Sequence, residues 1–240
     1  MDRSAIIIGA GDATGGAIAK RFAREGFHTV CTRRNEDKLQ PLIEEIEAPG
    51  GKGYAFGSDA RDEEQVQSLF KHVEEEIAPV GVLVFNIGAN VNFPIVDTTA
   101  RVYRKVWEMA AFSGFLVGRE AASVMSPRGE GTIIFTGATA SVRGGSGYSA
   151  FAGAKFALRA LAQAMARELG PKGIHVVHSI IDGAIDTAFI KDNFPERYAL
   201  KDQDGILNPD AIADAYWQLH LQPRSAWTHE LDLRPWMESF

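Results

Sequence analysis

The sequence predicts an α/β fold, a Rossmann-like doubly wound parallel sheet of about seven strands with helices on both faces, and three observations carry that prediction. Runs such as AIIIG and VGVLVFN are apolar throughout rather than alternating, which marks strands covered on both sides. Between them lie segments of helical periodicity long enough for crossovers between parallel strands. The first run enters its helix through a glycine-rich turn. Right-handed crossovers then leave a doubly wound sheet as the leading topology. A chain of 240 residues suits one such domain and is short for two, so residues 1–240 are read as a single domain.

Residues 5–9 form the first strand, and Ile18, Ala19, Phe22 and Ala23 give 14–24 one apolar helical face. The second strand is 28–32, after which Asn35 is placed to cap a helix running to Ile46 with Leu39, Leu42 and Ile43 on its inner side. A strand at 54–57, a helix at 62–77 with an acidic first turn and a strand at 80–86 continue the alternation. Three more units follow: helix 102–124 with strand 132–136, helix 149–169 with strand 174–180, and helix 209–220 with strand 228–233. The stretch 183–208 is polar and irregular, with Pro195 and Gly205, and it follows a strand's carboxyl end, where parallel sheets place ligands. It is read as a substrate lid, the alternative being a surface excursion packed against a second subunit.

The net charge of −6 argues against a broad nucleic-acid-binding surface and favours small-molecule partners. One cysteine, Cys31, excludes an intrachain disulfide and any multi-cysteine metal site; it is expected to be a small buried hydrophobe, and no metal site is predicted. The N-terminal MDRSAIIIGAG lacks the pattern of a signal peptide, and no apolar run is long enough to span a membrane. A cytoplasmic protein with no membrane or nucleic-acid partner is expected.

In GAGDATGG, residues 9–16, strand runs into helix through Gly9, Gly11, Asp12, Ala13, Thr14 and Gly15, so backbone N–H groups and the helix dipole can face a pyrophosphate. The residue after the second strand then discriminates between dinucleotides, because a carboxylate there accepts hydrogen bonds from an unphosphorylated ribose. Here Arg33 and Arg34 follow Thr32, and guanidinium groups suit a 2′-phosphate. NADP(H) is therefore favoured over NAD(H). Asp12 opposes that preference if it lies near the same phosphate, and two solvated surface arginines are the plain alternative.

Further motifs stand in order along the chain: Asp59 and Ala60 in GSDARD, Asn86 and Gly88 in FNIG, Asp182-Gly183 followed by Ile185 and Thr187, and Lys155 in SAFAGAK. Together they resemble the short-chain dehydrogenase/reductase family over nearly the whole length. Gly9 and Gly15 match its glycine pattern, with Ala13 in the middle place, and Asp182 stands where the family has proline. The resemblance implies that Asp59 faces an adenine, that Ile185 and Thr187 hold a nicotinamide carboxamide, and that the chain forms homodimers or homotetramers. It also implies a tyrosine proton donor, a lysine four residues later that lowers the tyrosine's pKa and binds the nicotinamide ribose, a serine for the oxyanion, and an asparagine on the preceding helix.

Lys155 is in register, but the tyrosine position holds Phe151, the serine position Ala138 and the asparagine position Ala110, with Ala111 the other choice there. Loss of a positioned general acid costs about 10²–10⁴ in rate, so the family's usual route is not expected to run fast. Tyr148 is a candidate substitute donor if the helix already includes it, and otherwise lines the pocket. His175 and His178 are expected to be structural, and Asp182 or Asp186 is a weaker candidate base. Two readings follow: an NADP(H)-dependent oxidoreductase with an altered active site, or a non-catalytic cofactor-binding protein.

Overall fold

The computed structural model describes residues 2–239. Seven strands form one all-parallel sheet in the order β3-β2-β1-β4-β5-β6-β7. They are β1 (Ser4–Ile8), β2 (His28–Arg33), β3 (Lys52–Gly57), β4 (Val80–Phe85), β5 (Gly131–Thr136), β6 (Ile174–Ile181) and β7 (Glu230–Leu233). The order reverses between β1 and β4, so the carboxyl ends of these strands open on a crevice.

Burial on both faces explains the unbroken apolar runs. Ile6, Ile8, Leu83 and Phe85 pack into one core, while Ala5, Ile7, Val82 and Val84 pack into the other. The first core lies beneath α3 (Glu63–His72), α5 (Ser113–Met125) and α6 (Ser149–Leu169). The second lies beneath α1 (Thr14–Arg24), α2 (Gln40–Glu47) and α9 (Pro209–His220), with the Phe22 and Trp217 rings edge-to-face at 5.4 Å.

Several expectations are corrected. The helix predicted from Asn35 begins with a 3₁₀ turn at Glu36–Leu39 before α2, and the Asn35 side chain makes no capping bond. Pro41 follows at the start of α2, where it has no N–H to give, so the chain tightens before it. The long helix predicted over 102–124 is α4 (Ala100–Trp107) and α5 joined by a π turn at Glu108–Phe112, with the Ser113 hydroxyl donating to the Met109 carbonyl at 2.6 Å. The stretch 183–208 is more regular than its composition suggested. It holds α7 (Ala188–Asn193), α8 (Pro195–Tyr198) and a 3₁₀ turn at Ala199–Gln203. Thr187 caps α7 by accepting the Ile190 N–H, and Pro195 opens α8.

Cys31 is fully buried, and burial pushes its thiol up to about 12, in keeping with a packing role. Among the described residues no group of three His, Cys, Asp or Glu side chains is placed to hold a metal, and no helix is long and apolar enough to cross a membrane.

Candidate cofactor cleft and active site

The turn after β1 makes the floor of a cleft. Gly9 takes a φ of +86°, and a Cβ there would meet the Asn86 carbonyl at 2.8 Å. A Cβ on Gly15 would collide with the Gly9 carbonyl and come within 2.9 Å of Ala10 Cα. Asn86 closes the packing by donating from Nδ2 to the Gly9 carbonyl at 3.3 Å. At the start of α1, Ala13 occupies the cap position without a capping side chain; the Gly16 N–H is taken by the Gly11 carbonyl at 2.8 Å, and the N–H groups of Thr14 and Gly15 are left to an outside acceptor.

The cleft has a volume of about 630 Å³, and Gly9, Gly11, Arg33, Arg34, Asp59, Ala60, Asn86 and Gly88 all line it. These residues come from the ends of β1, β2, β3 and β4, and the parallel register brings them together. Arg33 and Asp12 do not merely coexist: Nη1 of Arg33 donates to Asp12 Oδ1 at 2.9 Å and to the Lys38 carbonyl at 3.3 Å. Lys38 lines the same cleft and is a third cation that the sequence reading missed; the signal was a basic residue four positions after Arg34. Asp59 is engaged as well, its carboxylate gripped by the Arg61 guanidinium at 2.5 and 2.9 Å, which holds it below the usual carboxylate range. Arg61 also went unnoticed, although it lies two residues from Asp59 and lines the cleft.

At the inner end stands Lys155. It is 2% exposed, and its Nζ donates to the carbonyls of Ile87, at 3.1 Å, and Thr136, at 2.8 Å. Ile87 lines the cleft, so Lys155 joins it to the end of β5. Burial lowers the Lys155 pKa to about 8. The Phe151 ring centroid lies 6.0 Å from Nζ. Phe151 and Ala110 are buried in one apolar cluster, with Ala138 and Tyr148 partly buried against it. Three segments far apart in sequence, the π turn, the end of β5 and α6, therefore converge next to Lys155 on side chains without polar chemistry.

A scan against family models matches residues 3–197 to the short chain dehydrogenase family. A short-chain dehydrogenase/reductase of Armillaria gallica is 33% identical over 177 residues, 72% of this chain and 68% of that one. The crystal structure of a short-chain dehydrogenase from Rhodopseudomonas palustris superposes with a TM-score of 0.85 at 51% identity, covering 98% of this chain and all of the other. An actinorhodin polyketide ketoreductase crystallised with NADPH shares the fold, with a TM-score of 0.88 at 20% identity and 100% and 98% coverage.

The chain belongs to the short-chain dehydrogenase family. It is thus a member of a family of oxidoreductases that binds NAD(P).

Other positions of this short-chain dehydrogenase fall as follows. Tyr148 is not in the helix: it precedes α6 as its cap residue, with φ −107° and ψ 22°, and its carbonyl accepts the Ala152 N–H. It therefore does not sit one regular turn before Phe151, because the glycine-rich segment before it bends the chain rather than extending α6. Thr139 lies beyond β5, and its hydroxyl donates to the buried Asp182 carboxylate, which also faces Arg234 at 3.4 Å. Asp186 pairs with Lys201 at 2.8 Å. Both candidate bases are thus held in ion pairs. Ile185 bridges to Leu207 across the root of the 183–208 stretch, and the Thr187 oxygen is occupied as a cap acceptor. His175 stacks on Trp227 and bonds the Thr228 carbonyl, an ordinary structural role.

Proposed function

We propose that this chain binds NADP(H) in the cleft and is an oxidoreductase of altered mechanism acting on a small molecule. The observation that carries the cofactor reading is the gathering of Arg33, Arg34 and Lys38 on one cleft whose floor is the Gly9–Gly15 turn. That turn and the start of α1 would hold the pyrophosphate, and the three cations the 2′-phosphate. Asp59 and Ala60 would flank the adenine, and Asn86, Gly88, Lys155, Ile185 and Thr187 the nicotinamide ribose and carboxamide. NAD(H) is the alternative, and Asp12, paired with Arg33, is the residue that favours it. The NADPH-bound ketoreductase of the same fold accords with the first choice.

When bound, the cofactor supplies or accepts hydride; the chain's residues hold, orient and exclude water. Ala110, Ala138 and Phe151 stand in the family's asparagine, serine and tyrosine positions, so the usual proton donor and oxyanion donor are absent from the site. Tyr148, a substrate group or water supplies the proton, and Lys155 keeps its place beside the ribose. The segment 183–208 acts as the lid, residues 1–240 as one dinucleotide-binding domain, and the protein as a cytoplasmic homodimer or homotetramer. The exposed rings of Tyr103, Trp107, Phe115 and Phe156 on α4, α5 and α6 support an oligomer.

A second reading, a non-catalytic cofactor-binding protein, is favoured by the packing of Ala110, Ala138, Phe151 and Tyr148 into one apolar cluster. One experiment separates the two. NADPH and NADH are titrated against tryptophan fluorescence, and carbonyls, alcohols and activated alkenes are screened on the wild type and on Ala110→Asn/Ala138→Ser/Phe151→Tyr. NADPH should bind more tightly than NADH, and the triple variant should gain carbonyl reductase activity. Turnover by the wild type that is lost on Lys155→Ala excludes the non-catalytic reading. A wild type inert with both cofactors and unchanged by Tyr148→Phe excludes the first, and equal affinities remove the basis for NADP(H).

A further inference from the structure

Behind the Ala138 turn runs a continuous polar chain, half-buried at Arg159 and Glu230 and buried at His178 and Ser141, that the cofactor site does not use. Arg159 on α6 donates twice to Glu230 on β7, from Nε and Nη2, both at 2.6 Å. Glu230 Oε2 lies 3.0 Å from Nδ1 of His178 on β6, whose other ring nitrogen, Nε2, is 3.2 Å from the Ser141 hydroxyl. The Ser141 oxygen in turn accepts the Ala138 N–H at 3.1 Å. His178 and Ser141 are both fully buried.

Only one proton assignment satisfies every member. A carboxylate accepts only, so Nδ1 of His178 carries the hydrogen. The neutral ring's Nε2 is then an acceptor, the Ser141 hydroxyl donates to it, and the serine oxygen is left free for the Ala138 N–H. Burial keeps the ring neutral, lowering its pKa to about 4, as this assignment requires. Gly137 fits the same picture. A Cβ there would strike His178 Nε2 and come within 2.8 Å of the Ser141 hydroxyl, so the close approach of strand and turn depends on its lacking a side chain. The backbone of the turn is bound on two further sides, by Lys155 at the Thr136 carbonyl and by Ser179 at the Gly137 N–H.

We propose that Ser141, His178 and Glu230 are positioning residues: through the Ala138 N–H they fix the turn at 137–141 that presses Ala138 and Ala140 against the Phe151 side of the site. The chain works through the backbone, so it needs no polar side chain at Ala138. The inference takes its functional meaning from the proposed site but does not depend on turnover.

The test uses the full-length protein. Hydrogen–deuterium exchange is followed for peptides covering 137–142 and, as a control, β1, in the wild type, Ser141→Ala, Ser141→Thr and His178→Gln. Nitrogen NMR of the histidines reports the tautomer. Loss of one buried hydrogen bond should speed exchange of 137–142 by about five- to tenfold in Ser141→Ala with β1 unchanged, and Ser141→Thr, which keeps the hydroxyl, should restore it. In the wild type His178 should carry its proton on Nδ1, and Ser141→Ala should shift its Nε2 resonance. In the Ala110→Asn/Ala138→Ser/Phe151→Tyr background, Ser141→Ala should lower kcat more than it raises KM. Unchanged exchange in a folded Ser141→Ala, or a wild-type His178 protonated on Nε2, overturns the proposal even if a variant fails to fold. An inert triple variant with no NADPH binding would instead remove the proposed function and leave the exchange result to decide this point.

Discussion

Replacing Asp12 by alanine tests the cofactor assignment at the place where the structure is most divided. The Asp12 carboxylate lies 2.9 Å from Arg33 Nη1, with side-chain exposures of 88% and 26%. To receive a 2′-phosphate, Arg33 must leave or share this partner. An exposed pair of this kind contributes about 0.2–1 kcal/mol after solvent screening. The carboxylate also opposes the phosphate directly. Two unit charges about 6–8 Å apart in water repel by about 0.5–0.7 kcal/mol. Both effects have one sign, so Asp12→Ala should tighten NADPH by about three- to eighteenfold. NADH, which lacks the phosphate, should move by less than about twofold on the same arithmetic. Fluorescence titration at low salt measures both, and the gain should shrink as ionic strength rises. Weaker NADH binding with no gain for NADPH would mean that Asp12 serves the ribose hydroxyls itself, and the assignment of Arg33 to a phosphate would be refuted.

The other predictions concern the rim, the floor and the core. Arg34→Ala or Lys38→Ala should each weaken NADPH by about tenfold, the scale of one charge-assisted hydrogen bond, with NADH nearly unaffected in the same titration. Gly15→Ala should abolish nucleotide binding and cost about 1–3 kcal/mol by overpacking the Gly9 carbonyl and Ala10, read as a lower Tm by thermal unfolding. His178 and His220 are both lowered to about 4 by burial. An unfolded chain takes up these protons from about pH 6.5 downward while the fold resists until about pH 4, so stability should fall across that interval. At pH 5 the loss relative to neutral pH is about 2 kcal/mol per histidine. Urea unfolding at pH 7 and pH 5 checks this, and a His178→Gln variant that kept the full difference would contradict it.

Legibility in the sequence followed the range of the interactions. The extent of α6, Ser149–Leu169, could be read because a helix this long repeats its apolar face many times. β1 and β4 could be read because both of their faces are buried. The helices within 183–208 could not, since α7 and α8 are too short to show a period and their polar residues read as a loop. The π turn at Glu108–Phe112 was invisible for a related reason: one wider turn shifts the phase without breaking the apolar pattern. Spacing alone left the placing of Tyr148 open, because three residues make a helical turn only where the backbone is already helical, and α6 begins at Ser149.

Within the site, the order of residues was enough for the inventory. It named a glycine turn, arginines after β2, a lysine in α6, and Ala110, Ala138 and Phe151 in three places where polar side chains were expected. Those follow from local spacing, which the chain carries in its order of residues. The pairing of charges was decided only in three dimensions. Asp12 with Arg33, Asp59 with Arg61, Thr139 with Asp182, and the Glu230–His178–Ser141 chain are the outcome. Members of that last chain lie 37 and 52 residues apart, and they meet because β5, β6 and β7 are hydrogen-bonded in one fixed register. A side chain's partner is set by which strand ends lie side by side, and only the closed sheet specifies that.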